Sequence, residues 1–191
     1  MINRKQFLQR IGLASGFMFM SPALLLQSCT YIPRIRTGLS DQDIPLLDEI
    51  GETILPSTDA CPGAMAAEIG TYMITMVQDC FEPEEKNIFI EGLNILDQDC
   101  AKTYNKAFEQ LKPAQKLERM QSLQEEALVL ALEQEEMPEK LPHYFDLFKR
   151  LTVSGYITSE IGMTQAREYR PVPGGYSGCL DYGRGQKPWA T

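Results

Sequence analysis

Apolar residues recur every three or four positions along most of the chain, the spacing of helices that bury one face. Ile44, Leu47, Ile50 and Ile54 form the first such stripe. Ser40 followed by Asp43 predicts a capping box at its start, and Pro45 places that start near Asp43. Pro56 ends the stripe, and residues 56–63 are a loop of turn-forming residues. Ile69, Tyr72, Met73, Met76, Val77 and Cys80 make the second stripe. Pro83, with acids around it, opens a third helix whose inward residues are Phe89, Leu93, Leu96, Cys100 and Tyr104. Pro113 opens a fourth, with Leu117, Met120 and Leu123 inward. It runs into residues 125–139, which hold six glutamates and no base, the composition of a solvated face. Pro138 and Pro142 precede a fifth stripe of Tyr144, Phe145, Phe148, Leu151 and Thr152. No alternation long enough for a convincing strand is present. The pattern predicts an all-α domain of about five helices over residues 40–170.

The pattern breaks at residue 171. Residues 171–191 contain five glycines and three prolines, which exclude a helix. Tyr176, Tyr182 and Trp189 lie among them, with Tyr169 just before, too many aromatics for a solvated tail. This segment is expected to wrap a surface, either of its own domain or of a partner. Aromatic residues of this kind dominate binding hot spots.

Charge narrows the choice of partner. The chain has 191 residues and a formal charge of −8, so it repels phosphate backbones and is not expected to bind nucleic acid. It has one histidine, His143, which excludes a metal site built on several histidines. A lone histidine after Pro142 reads as an exposed or capping residue at a helix start, not as a general base. Motifs for dinucleotide, nucleotide, c-type haem, zinc or calcium are missing. The nine methionines fall mainly in the leader and on helix stripes, which favours packing over copper binding.

The first 28 residues read as an export signal. Arg4, Lys5 and Arg10 precede an uncharged, mostly apolar run over residues 11–26. Leu26-Gln27-Ser28-Cys29 resembles a bacterial lipobox, with Cys29 as the lipid-bearing first residue of the mature chain. Asn3-Arg4-Lys5-Gln6-Phe7-Leu8 resembles the twin-arginine motif, with Lys5 in place of the second arginine; a general-export signal has a basic start too. Removing the signal leaves 15 basic and 26 acidic side chains. Attachment to a membrane would then come from acyl chains rather than from an acidic domain face. Residues 29–39 read as a tether. Of the remaining cysteines, Cys80 and Cys100 lie on apolar stripes. Cys61 and Cys179 lie in loops, where a disulfide between them is one of several options.

Three blocks carry a family resemblance. They are residues 46–59 (LLDEIGETILPSTD) continued by Pro62-Gly63-Ala64, residues 151–162 (LTVSGYITSEIG), and residues 169–179 (YRPVPGGYSGC). With the ending at 186–191 (QKPWAT), they resemble the gluconate 2-dehydrogenase subunit 3 family. Cys61 departs from the threonine-like residue expected before Pro-Gly. The resemblance implies a small non-catalytic subunit without a cofactor of its own. Its partner would be a large flavoprotein of the glucose–methanol–choline type that carries FAD and oxidises a sugar, sugar acid or glycoside. Some such complexes add a cytochrome c subunit. The small subunit would stabilise the large one and carry its export signal to the bacterial periplasm, where a lipid on Cys29 would hold it at the inner or outer membrane. Gly155, Tyr156, Tyr169, Pro171, Pro173, Tyr176 and Trp189 are the expected structural or contact residues. A free-standing helical lipoprotein with a closed apolar pocket for a small ligand is the alternative.

Overall fold

Among the described residues, five α-helices follow the predicted stripes: α1 (Ile44–Ile54), α2 (Ile69–Asp79), α3 (Pro83–Tyr104), α4 (Pro113–Glu133) and α5 (Tyr144–Thr158). The computed structural model describes residues 31–190 apart from 139, 173, 176–178, 180 and 182. The export signal with Arg4, Lys5, Phe7 and Leu8, the lipobox Cys29, and Pro173 and Tyr176 lie outside the described residues. The account below concerns the unit that begins at Pro33.

The helix starts obey local rules. Ser40 N donates to Asp43 Oδ2 at 2.9 Å, closing the capping box. A short 3₁₀ turn over Asp41–Asp43 precedes α1, with Pro45 in its first turn. Proline in a first turn removes only an N–H that had no partner, and α3 and α4 begin at proline for the same reason. α5 is capped by His143, whose Nδ1 accepts from Phe145 N at 3.2 Å. Of the two roles read from sequence, exposed or capping, this is the second. It requires an unprotonated Nδ1.

α5 is the central helix and packs against each of the other four. Its Phe148 ring meets Phe89 of α3 edge-on, with centroids 5.0 Å apart, and Tyr144 at 5.7 Å. Leu47, Ile50, Met73, Val77, Leu93, Leu96, Leu123 and Leu151 complete one continuous core. Removal of that apolar area from water is what holds the helices together.

Three expectations need correction. Leu117 is not inward but 48% exposed, because α4 turns Lys116, Met120, Leu123 and Ala127 to the core. Cys80 ends its stripe exposed, at the cap of α2, whereas Cys100 is buried. The stretch read as a tether is packed in part, since Arg36 is only 8% exposed. Its Nε donates to Asp43 Oδ1 at 2.7 Å and its Nη1 to Asp97 Oδ2 of α3 at 2.5 Å. Asn94 of α3 clasps the same residue through its backbone: Arg36 N donates to Asn94 Oδ1 at 2.8 Å, and Asn94 Nδ2 donates to Arg36 O at 2.9 Å. Burial disfavours the guanidinium charge, but the two carboxylates outweigh it and raise the pKa of Arg36.

Candidate partner-binding face

One end of the domain is assembled from the loop after α1, the end of α5 and the C-terminal segment. Glu52, near the end of α1, organises the loop. Its Oε1 accepts from Ser57 N at 2.7 Å and its Oε2 from Met65 N at 3.0 Å, so one carboxylate joins both ends of the loop. Inside it, Thr58 and Cys61 pair across a tight turn, and Gly63 N donates to Ser57 Oγ at 2.8 Å. Asp48 accepts from Gly70 N at 2.7 Å and ties the start of α2 to α1. Burial raises the pKa of Asp48, and the Gly70 hydrogen bond opposes that shift.

Tyr156 of α5 closes this loop from the other side. Its hydroxyl donates to Pro62 O at 2.6 Å and lies 3.0 Å from Cys61 Sγ. Since the hydroxyl proton is used on Pro62, the thiol is the donor between Cys61 and Tyr156. Burial pushes the Tyr156 hydroxyl up to about 12. Cys61 is a free thiol, so the disulfide to Cys179 weighed from sequence is not formed. Gly155 is also an internal residue. A Cβ there would stand 2.5 Å from the Tyr72 ring of α2, so glycine permits this close approach. Gly155 and Tyr156 are therefore packing residues rather than an open contact surface.

Past α5 the chain makes a π-helical turn, Gly162–Ala166. Ser159 Oγ donates to Tyr156 O at 2.7 Å and accepts from Gly162 N at 3.0 Å. A Cβ on Gly162 would overlap the Tyr156 carbonyl, so only glycine fits this turn. Arg167 reaches back to the carbonyl of Ile157, and Lys187 reaches the carbonyl of Gln165.

Two short strands follow, which the sequence pattern did not predict. β1 (Glu168–Tyr169) pairs in parallel with β2 (Trp189–Ala190). Glu168 N donates to Pro188 O at 2.9 Å and Arg170 N to Ala190 O at 2.7 Å. Two residues per strand give too short an alternation to read from a sequence. The Arg170 guanidinium lies 3.9 Å from the Trp189 ring centroid and donates to Glu168 Oε1 at 2.7 Å. Ala190 is buried, so the end of the segment does pack on its own domain. Among the described residues of this segment, Tyr169, Pro171, Val172 (84% exposed) and Trp189 (38% exposed) are exposed around the strand pair.

Other features carry less chemistry. No group of acids, cysteines and histidine able to hold a metal is present among the described residues. No helix among them is long and apolar enough to cross a membrane. A groove of about 430 Å³ between α4 and α5 is lined by Ala127, Leu130, Leu141 and His143, with Glu85, Lys140, Asp146 and Arg150 around them. That charged lining differs from the closed apolar pocket expected of a small-ligand carrier.

Sequence reasoning missed Arg36, Asp97 and Asn94 altogether. A lone arginine in a presumed tether has no signature, and its partners lie about 60 positions away. Glu52 and Asp48 lay inside the first family-like block, but their spacing alone announced no role.

The fold and this face define a small helical domain that presents an aromatic edge outside its core. The gluconate 2-dehydrogenase subunit 3 family matches residues 41–174, well over half of the chain, and the protein belongs to that family. The matched span covers α1 through β1 and ends at Gly174, so Arg36 and Trp189 lie on either side of it. No curated protein and no solved structure matches the chain.

Proposed function

We propose that this protein is the non-catalytic small subunit of a membrane-bound, FAD-dependent dehydrogenase. The large subunit would be a flavoprotein of the glucose–methanol–choline type acting on a sugar, sugar acid or glycoside, with a cytochrome c subunit as acceptor in some assemblies. Family membership supports a place in a dehydrogenase complex. The observation that carries the binding role is the exposure of Tyr169, Pro171, Val172 and Trp189 around the β1–β2 pair. None of these side chains belongs to the helical core. Aromatic residues on a rigid backbone give contact area at small entropic cost.

Binding the folded, flavin-loaded partner in preference to its unfolded chain stabilises it by mass action. The basic, twin-arginine-like start with Arg4, Lys5, Phe7 and Leu8 would carry the pair out of the cytoplasm. A lipid on Cys29 would then hold it at the periplasmic side of a bacterial membrane. FAD and the reacting groups belong to the partner in this reading.

The test is purification of the tagged protein from its native host. A yellow flavoprotein present in stoichiometric amount is the expected result. Deleting residues 171–191 should then abolish co-purification while the helical circular dichroism persists. Unchanged co-purification after deletion would refute the assigned edge, and a colourless protein alone would refute the subunit reading.

A further inference from the structure

We propose that the outward face of α4 is a dock for a basic amphipathic helix of another chain in the complex. This rests on the subunit reading above, and the dock supplements the β1–β2 contact rather than replacing it.

α4 carries two stripes. Lys116, Met120, Leu123 and Ala127 face the core. Ala114, Leu117, Gln121, Gln124, Leu128 and Ala131 form the other, at alternating spacings of three and four, and all are exposed. That spacing is the seam along which two helices pair in a coiled coil. Leu128 is 58% exposed, and Leu132, beside the seam, is 70% exposed. No charged residue interrupts the seam. From Ala114 to Leu132 it runs roughly 27 Å, which matches a partner helix of about 18 residues. Leucines aligned on one helix face make a strip, which scattered surface apolar residues do not.

At its Leu117 end the strip opens into a groove of about 290 Å³ between the end of α1 and the start of α4. Thr53, Pro56, Pro113 and Leu117 line it, with Glu49, Glu52 and Lys116. The apolar strip therefore continues onto the end of the domain that carries the Glu52 loop.

Charge selects the occupant. Glu118 and Glu125, one heptad apart, flank the seam at the position that sets partner choice between paired helices. Neither they nor Glu133 at the helix end has an ion pair among the described residues. Both bases of α4 are already engaged: Lys116 with Glu49 at 2.6 Å, and Arg119 with Asp99 at 2.6 Å and Glu126 at 3.1 Å. Glu52 is bonded to backbone amides, which leave its charge in place. Lys112 and Lys140 lie before and after the helix, outside the seam. A second copy fits poorly, because a two-fold pairing sets this flank against itself, acid facing acid. An anionic lipid surface is repelled for the same reason. A helix with an apolar stripe and lysine or arginine beside it meets both the seam and the unpaired acids.

The experiment places the photo-crosslinking residue p-benzoylphenylalanine at Leu128 of the full-length protein, in its native host. Thr75, exposed on α2, takes the same residue as a control. Cross-linked peptides are sequenced by mass spectrometry. The expected product forms at position 128 and not at 75, and its peptide comes from another chain. That peptide maps to an amphipathic helix with lysine or arginine beside its apolar stripe. Glu118→Lys combined with Glu125→Lys should lower the yield at least about fivefold, in protein whose helical circular dichroism is unchanged. A product with a second copy, with lipid or with a peptide free of bases overturns the dock, as does a yield unchanged by the double substitution. Flavoprotein that co-purifies while position 128 gives no product overturns the dock and leaves the subunit reading standing. No product and no flavoprotein overturns both.

Discussion

Two arginines show how differently this chain uses the same side chain. Arg36 is buried between Asp43 and Asp97, and its backbone is clasped by Asn94. Arg170 lies at the surface, bonded to Glu168 and stacked over Trp189. The first links residues some 60 positions apart and is buried, so removing it takes the counter-charge from Asp97 and leaves Asp43 with Arg34 and Ser40. The second orders a two-residue strand pair that stays open to solvent. The difference separates a centre that holds the fold together from an edge that remains available for a partner.

Arg36→Met should give the largest effect, a loss of about 3–5 kcal/mol in denaturant unfolding, because buried Asp97 loses its counter-charge and Asp43 keeps only the more distant Arg34. A loss below about 1 kcal/mol would place Arg36 in the same class as Arg170. Gly155→Ala should cost about 1–3 kcal/mol by forcing its new methyl against Tyr72. A neutral outcome there would reopen Gly155 as a surface residue. Tyr156→Phe should cost about 1 kcal/mol and speed hydrogen exchange at the Cys61 and Gly63 amides, since Pro62 O loses its donor. Arg170→Met should cost no more than about 1 kcal/mol, as expected for an exposed pair. It should nonetheless weaken co-purification of the flavoprotein; the reverse pattern would make the edge a structural element.

The smallest effect concerns His143. Burial lowers its pKa below the ordinary 6.5, against the pull of Glu126 and Asp146. The unfolded chain therefore takes up the proton first as pH falls. The contribution of His143 to stability is complete above pH 6.5 and is lost as pH drops through 6.5 toward the lower folded value. Protonation would also remove the Nδ1 acceptor that caps Phe145 N. His143→Asn, which caps without titrating in this range, should flatten that part of the stability–pH curve.

The helices were legible because their signals are local. Proline at helix starts, the Ser40–Asp43 box and stripes at three and four positions each depend on a few neighbouring residues. Leu117 shows where such reading fails. α4 bears one apolar set at Met120, Leu123 and Ala127 and another at Leu117, Leu128 and Leu132. Periodicity finds both sets but cannot tell which one a neighbouring helix covers. Of the residues expected to be structural or contact residues, Tyr169, Pro171 and Trp189 lie at the surface, while Gly155 and Tyr156 pack against α2 and the loop after α1.

The sequence by itself determined an all-α domain, the places where its helices begin, the family-like blocks and the irregular aromatic end. These follow from short-range rules of backbone geometry and from the need to bury one face of each helix. Only the tertiary structure decided that Arg36 belongs to the domain, that Glu52 and Tyr156 close one loop from two sides, and that Trp189 returns to Glu168. Each of these joins groups distant along the chain. Such contacts form because burial drives the helices together and every buried charge or polar group must then find a partner.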